Sequence, residues 1–217
     1  EPVYVFLMMI TALINYGAGR MIGRYQGKAG DTIATYFAVI YDFLMLGIFK
    51  YSGFIVENIN ALLSSDIPVP DIKLPIGISF YTFQTVSYII DCHWEDVKPQ
   101  KSFKNFLLYL TLFPQLVAGP IVRARDFIPQ IGRPLLVTDK MFGMGVFLII
   151  AGLFKKSVIS DYISVNFVER IFDQPDLYSG LENLLAVYGY SVQIYCDFSG
   201  YTDIAIGIAL LLGFEFP

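Results

Sequence analysis

The chain has 217 residues, of which 55% are hydrophobic and only 16% are charged. Soluble globular domains carry roughly 25% charged residues, so about a third of the usual charge is missing. This composition excludes a disordered chain, and the formal net charge of −4 excludes a basic nucleic-acid-binding domain. A soluble protein with a large core and a membrane protein remain.

The distribution of the charges favours the membrane protein. Residues 2–19, 74–90 and 105–122 contain no charged residue, and residues 32–49 contain only Asp42. Each run approaches the roughly 17–25 apolar residues that a helix needs to cross a bilayer. Several such runs in one chain predict an all-α fold, a polytopic transmembrane helical bundle.

Seven apolar segments follow one another along the chain. They cover residues 3–19, 32–51, 74–90, 105–119, 141–154, 183–195 and 202–214, with a mixed polar connector at 160–182. By the positive-inside rule, the basic loop 20–28 is cytoplasmic, whereas the loop 52–72, which contains no Lys or Arg, is outside. The sequence shows no internal repeat, and we expect residues 1–217 to form a single membrane domain.

The region 113–131 is predicted to depart from a regular span. Both loops around the fourth segment, 91–104 and 123–140, are basic, which strict alternation of topology does not allow. Pro114 and Pro120 also interrupt helical structure here. We therefore expect a re-entrant or broken helix, since irregular backbone at membrane depth is tolerated where protein or a water-filled cavity satisfies it.

Polar side chains are concentrated between the last two segments. On a helix, Gln193, Asp197 and Tyr201 follow i, i+4, i+8 spacing, and Ser199 and Asp203 form a second stripe. Lipid is a poor neighbour for either stripe. The stripes predict either the wall of a substrate channel or reaction chamber, or a hydrogen-bond network between helices in which the aspartates cap broken helices. The candidate wall residues are Gln193, Tyr195, Asp197, Ser199, Tyr201 and Asp203.

Other charged residues lie in or beside the apolar segments. Arg123 and Arg125 follow a helix-breaking Gly-Pro pair and are candidate contacts for an anionic donor. Arg123 is equally a candidate for holding the loop by pairing with backbone carbonyls. Lys155 and Lys156 end an apolar segment, where snorkelling to the interface is favoured over a role in binding. Two intramembrane carboxylates are candidates for pairing with neighbouring basic groups; they are Asp42 and Asp91.

The residue types of a metal site are missing from the sequence. His93 is the only histidine, and Cys92 and Cys196 are far apart and lack a metal-binding spacing. His93, next to Trp94 in a charged loop, is typical of a membrane interface. We therefore expect no metal and no other bound cofactor.

Four blocks of the sequence resemble a known family. They read LPIGISFYTFQTVSYIID at 74–91, FPQLVAGPIVRARDFIPQ at 113–130, GLFKK at 152–156 and QIYCDFSGYTDIAIG at 193–207. Together and in this order they are similar to the membrane-bound O-acyltransferase family. Within that family they resemble the bacterial branch of alginate O-acetylation and teichoic acid D-alanylation, the alginate type more closely.

The resemblance implies a multi-pass enzyme of the bacterial inner membrane. Such an enzyme moves an acyl group, here an acetyl group, from a cytoplasmic thioester donor such as acetyl-CoA towards an exopolysaccharide hydroxyl. The implied partners are this donor, an extracytoplasmic acceptor protein or polysaccharide, and the lipid bilayer. The family's catalytic histidine follows a Trp/Arg-rich stretch, and His93 does not match that position. We therefore expect the catalytic histidine beyond residue 217, in a longer protein of which this chain is the inactive N-terminal part.

Two other functions are compatible with the residues alone. Asp42, Asp197 and Asp203 could form the ion or proton path of a transporter or flippase, which performs no covalent chemistry. A purely structural membrane subunit is the third alternative.

Overall fold

The computed structural model describes residues 2–116 and 119–216. These residues form helices and connecting loops, with no strand among them. They divide into two compact units, one made of residues 2–116 with 121–132 and the other of residues 119–120 with 133–216. The single membrane domain stays a prediction.

Three long helices of the first unit, α1 to α3, pack against one another, and shorter helices follow them. The helices are α1 (Pro2–Arg24), α2 (Ala29–Leu63), α3 (Ile78–His93), α4 (Phe103–Thr111), α5 (Phe113–Leu116) and α6 (Ala124–Ile131).

Helix α2 is longer than the predicted segment 32–51. It continues to Leu63, because the sequence stays apolar and contains no proline before Pro68. Ser64, which has a left-handed conformation with φ of 49°, follows the last helical residue. The predicted outer loop 52–72 is therefore helical over its first half.

A buried polar contact joins the three long helices. The Asn15 side-chain amide donates to one carboxylate oxygen of Asp42 and the Thr85 hydroxyl donates to the other, each at 2.8 Å. Asp42 is only 1% exposed. The expectation of a basic partner for Asp42 is wrong, since neutral donors from α1 and α3 satisfy both of its oxygens. Unpaired, this carboxylate would be costly inside a spanning helix.

The predicted fourth segment, 105–119, is divided into two short helices. Helix α4 ends at Thr111, and Leu112 is extended before α5 begins. A helix that continued through Pro114 would lose a backbone hydrogen bond and place the proline ring against the preceding turn. The predicted re-entrant region includes Val117 and Ala118, which lie outside the described residues, so its position in the membrane stays a prediction.

The second unit consists of two long helical stretches. The first runs without interruption from Asp139 to Asp173. It is composed of α7 (Asp139–Leu153), a π-helix (Phe154–Ser160), α8 (Asp161–Ile163), a second π-helix (Ser164–Val168) and α9 (Glu169–Asp173). A short 3₁₀ turn (Pro175–Leu177) leads to the second stretch, α10 (Gly180–Leu211).

Two boundaries predicted for this unit are wrong. The predicted connector 160–182 is helical as far as Asp173. The segment 183–195 and the segment 202–214 up to Leu211 belong to one helix, α10. A glycine in a helix interior lowers helix stability by about 1 kcal/mol relative to alanine, so a glycine such as Gly200 is compatible with a helix end. In the structure Gly200 is instead buried where α10 crosses the preceding stretch.

Glycines set the close crossing of α7 and α10. Gly145 lies against Gly207, and Gly152 lies against Gly200, so the two helices run antiparallel. A Cβ atom added to Gly152 would lie 2.6 Å from the Gly200 carbonyl oxygen, and one added to Gly207 would lie 2.6 Å from the Gly145 carbonyl oxygen. Small residues allow such close backbone approach between membrane helices.

Within residues 2–116 and 119–216, four helices are long and apolar enough to cross a membrane. They are Tyr4–Arg24, Ala29–Leu63, Asp139–Asp173 and Gly180–Leu211. These helices confirm the predicted all-α, polytopic fold. Helix α3 has 16 residues and α4 has 9, which is shorter than the roughly 20 residues of a regular span.

Candidate functional site

The predicted polar wall lies on a single uninterrupted helix. Helix α10 begins with a capping box, in which Ser179 and Glu182 satisfy each other's backbone N–H groups. Because the helix then continues to Leu211, the i, i+4 spacing of the polar residues places them in stripes along it. One part of the alternative, that the aspartates cap broken helices, is wrong, because no helix begins or ends at Asp197 or Asp203. Its other part, a hydrogen-bond network between helices, is present in the contacts of α10 with the preceding helical stretch.

Lys155 lies against the second stripe. Its ammonium group is 2.6 Å from a carboxylate oxygen of Asp203 and donates to the Ser199 hydroxyl at 2.9 Å. The Lys155 side chain is 34% exposed and the Asp203 side chain 20%. Both stripe residues therefore share one cation from the π-helix that follows α7.

Lys156 lies against the first stripe. Its ammonium group is 2.6 Å from Asp197 and 2.9 Å from Asp161, and it lies 5.4 Å from the centre of the Tyr201 ring. The cation and the ring are within the range of a cation–π interaction. Adjacent lysines thus contact two different carboxylates of α10.

Gln193 extends the polar contacts by about one helical turn. Its amide donates to the Ser164 hydroxyl at 2.9 Å, and its backbone carbonyl accepts from Ser160 at 3.0 Å. The Gln193 side-chain carbonyl is buried and has no hydrogen-bond partner within residues 2–116 and 119–216. Tyr195 lies one helical turn before Ser199, in line with the second stripe, but it is 69% exposed.

The lysine contacts are the part of the site that sequence reasoning missed. Lys155 and Lys156 were expected at a helix end, but the helix continues past them as a π-helix. Their contacts on α10 lie 41 to 48 residues away along the chain, beyond the reach of any local pattern. One signal was present: two adjacent lysines in one apolar segment and two aspartates in another supply matching opposite charges.

Arg123 and Arg125 lie in the first unit, at the start of α6. Helix α6 packs through Phe127, which is fully buried and whose ring centre lies 5.9 Å from that of Tyr109. Both arginine side chains are exposed, and the Arg125 guanidinium lies 3.8 Å from the Asp126 carboxylate. Their role as contacts for a donor stays a prediction.

His93 is the last residue of α3 and has a defined partner. Its Nδ1 atom lies 2.7 Å from a carboxylate oxygen of Asp31, which is buried at the start of α2. The other Asp31 oxygen accepts from the backbone N–H of Gly27. This contact joins α2 to α3. The position of His93 at the membrane interface stays a prediction.

The polar residues of α10 can shape and charge a surface, but they do not form a catalytic dyad. Acyl transfer to a hydroxyl needs a general base and donors that stabilise the oxyanion. Asp197 and Asp203 each lie 2.6 Å from a lysine ammonium group. The described contacts are those of a polar interface between two helices, and the role of these residues as a chamber wall stays a prediction.

Comparison with known proteins supplies the context for this wall. The model of the membrane-bound O-acyltransferase family matches residues 96–217, a range that contains all the candidate wall residues. The chain is 35% identical to the probable alginate O-acetylase AlgI of Azotobacter vinelandii, over 98% of the chain and 43% of that protein. It is 30% identical to the peptidoglycan O-acetyltransferase of Helicobacter pylori, over 99% of the chain and 45% of that protein.

A more distant relative transfers a different group. The chain is 30% identical to the teichoic acid D-alanyltransferase of Bacillus subtilis, over 78% of the chain and 46% of that protein. The chain spans less than half the length of each of these three curated relatives.

Proposed function

Because this chain belongs to the membrane-bound O-acyltransferase family, we propose that the whole protein transfers an acyl group across the membrane to a hydroxyl acceptor. Family membership and the four long apolar helices make the chain part of a multi-pass membrane protein. The bacterial inner membrane is the proposed location, since a cytoplasmic thioester and an extracytoplasmic acceptor meet across that membrane.

The proposed donor is acetyl-CoA or another acyl thioester, and the proposed acceptor is an exopolysaccharide hydroxyl. Similarity to an alginate O-acetylase and to a peptidoglycan O-acetyltransferase supports an acetyl group and a cell-surface glycan. The teichoic acid relative is named for the transfer of a different acyl group, D-alanine. Two of the three relatives are named for O-acetylation and one for D-alanylation. We therefore propose an acetyl group as the transferred group and an alginate-like polysaccharide as the acceptor.

In this proposal the chain supplies the scaffold and part of the chamber wall. The observation that carries this role is the row of polar contacts on α10, where Lys155 and Lys156 hold Asp203 and Asp197 inside two spanning helices. Intramembrane charges are costly and usually face a cavity or a bundle interior. The general base, a histidine, is expected beyond residue 217, and Arg123 and Arg125 are the proposed contacts for the donor.

Asp197→Asn in the full-length protein tests the wall. We expect roughly a tenfold or larger loss of ester-linked acyl groups on the polysaccharide, because a displaced wall misaligns the reacting groups. The protein is expressed in a strain that lacks its own copy, and the esters released by mild alkali from secreted polysaccharide are quantified. The amount of protein in the membrane fraction is expected to stay unchanged.

Asp161→Asn is the matched control. Asp161 contacts the same lysine as Asp197, but its side chain is 51% exposed and lies outside α10. We expect near-normal acylation with this variant. Normal acylation with Asp197→Asn would contradict the proposal that Asp197 belongs to the chamber wall. Polysaccharide without esters in cells that contain the wild-type protein would contradict the acyltransferase function and favour the transporter.

A further inference from the structure

An open cavity of about 930 Å³ lies in the first unit, beside the C-terminal end of α1. The last turns of α1 and the Tyr25-Gln26 turn form one side of it. The segment 95–101, which follows α3, forms the other side. The cavity is separate from the polar residues of α10, which belong to the second unit.

The lining of this cavity is strongly positive. Four cations, Arg20, Arg24, Lys98 and Lys101, face a single carboxylate, that of Glu95. All four basic side chains are exposed. None of them lies within ion-pair distance of a carboxylate in the part of the chain that the structure describes. These charges are therefore available to an anionic ligand.

Close packing fixes the two sides of the cavity relative to each other. A Cβ atom added to Gly23 would lie 2.7 Å from the Pro99 ring, so the glycine lets the 95–101 segment approach α1. The Tyr16 hydroxyl donates to the Lys101 backbone carbonyl at 2.6 Å, and the Gln100 N–H donates to the buried Tyr88 hydroxyl at 2.9 Å. The basic groups are thus held around a preformed space.

The cavity lies at the end of a spanning helix, where membrane surface and solvent meet. Helix α1 is one of the four helices long enough to cross the membrane. The cavity is bounded by loop 20–28, which is predicted to be cytoplasmic, and by the basic loop 91–104. Basic pockets at this level typically bind phosphate groups of anionic lipids.

We propose that this cavity binds a phosphate group at the cytoplasmic membrane surface, carried by an anionic phospholipid or by a soluble phosphate compound. Two arginines supply forked donors that suit phosphate oxygens, and two lysines supply compact charges. Apolar Met21 and Val97 in the same lining suit the glycerol and upper acyl region of a lipid. The proposal does not depend on acyl transfer, since none of its residues belongs to the proposed wall or donor contacts.

Lipid retention by the full-length protein tests the site. The protein is reconstituted in nanodiscs of phosphatidylcholine with phosphatidylglycerol as the minor lipid, extracted in mild detergent, and analysed for bound phosphatidylglycerol by mass spectrometry. Each basic residue near an anionic surface is worth about fivefold in binding, so Arg20→Gln/Arg24→Gln and Lys98→Gln/Lys101→Gln should each lower retention at least about fivefold. Arg133→Gln/Lys140→Gln, which removes two exposed cations elsewhere, should retain lipid normally.

A second arm identifies the source of the phosphate. Inorganic pyrophosphate is titrated into the same proteins in discs of phosphatidylcholine alone. Lipid retention that depends on the four cations supports a lipid headgroup, and pyrophosphate binding that depends on them supports a soluble phosphate compound. If both lipid retention and pyrophosphate binding are the same in wild type and in both double variants, the site does not exist. The substituted side chains are exposed, and an unchanged unfolding temperature in phosphatidylcholine discs verifies that the variants are folded.

Discussion

Gly152→Val is expected to remove most of the folded full-length protein from the membrane. The added side chain would meet the Gly200 carbonyl and the Ile204 side chain, both closer than 3 Å to a Cβ at this position. Backbone atoms cannot move aside as a flexible side chain can, so we expect a loss of about 3 kcal/mol, the upper part of the usual range for overpacking. Monodisperse protein after extraction and the unfolding temperature measure the effect.

Gly143→Val is the matched control on the same helix. No atom lies within 4 Å of a Cβ placed at Gly143, and the residue is exposed. Valine and glycine differ little in helix propensity, so we expect a change below about 1 kcal/mol. Equal losses for the two variants would mean that the crossing at Gly152 does not stabilise the second unit.

Lys155→Met and Asp203→Leu are each expected to destabilise the full-length protein by about 2–3 kcal/mol, because each leaves one unpaired charge within a spanning segment. The double variant removes both charges. We expect its loss to be smaller than the sum of the two single losses by at least about 1 kcal/mol, as a double-mutant cycle measures it in detergent.

Lys140→Met provides the comparison for this cycle. Lys140 is exposed at the start of α7 and makes no ion pair within the described ranges. Combined with Asp203→Leu it should give an additive loss. Additivity in the Lys155 cycle as well would show that the 2.6 Å contact contributes no coupling.

The helical period of the polar residues was the most reliable guide in the sequence. The spacing of Gln193, Asp197 and Tyr201 predicted one face of a helix, and α10 has that face. Local geometry alone determines this pattern, since residues four apart on a helix are neighbours whatever surrounds them. The fold class followed from the charge-free runs for a similar reason, because the bilayer sets the length of a spanning helix.

Helix ends were harder to predict because packing overrides local propensity. The division of α10 into two segments was wrong, and Gly200 within it lies against Gly152 of the preceding helical stretch. Leu112, rather than Pro114 itself, is the non-helical residue, because a proline disturbs the turn before it. The partners of Lys155 and Lys156 depend on how two distant helices meet, which no single segment encodes.

Transfer of labelled acetyl groups by the full-length protein tests the central claim most directly. Proteoliposomes enclose an alginate-like polysaccharide, with the donor face of the protein outside, and receive acetyl-CoA labelled in its acetyl group. We expect alkali-labile label on the enclosed polysaccharide, dependent on the protein and reduced by Asp197→Asn. Unlabelled polysaccharide with intact vesicles and folded protein, or label that enters without becoming covalently attached, would contradict the account.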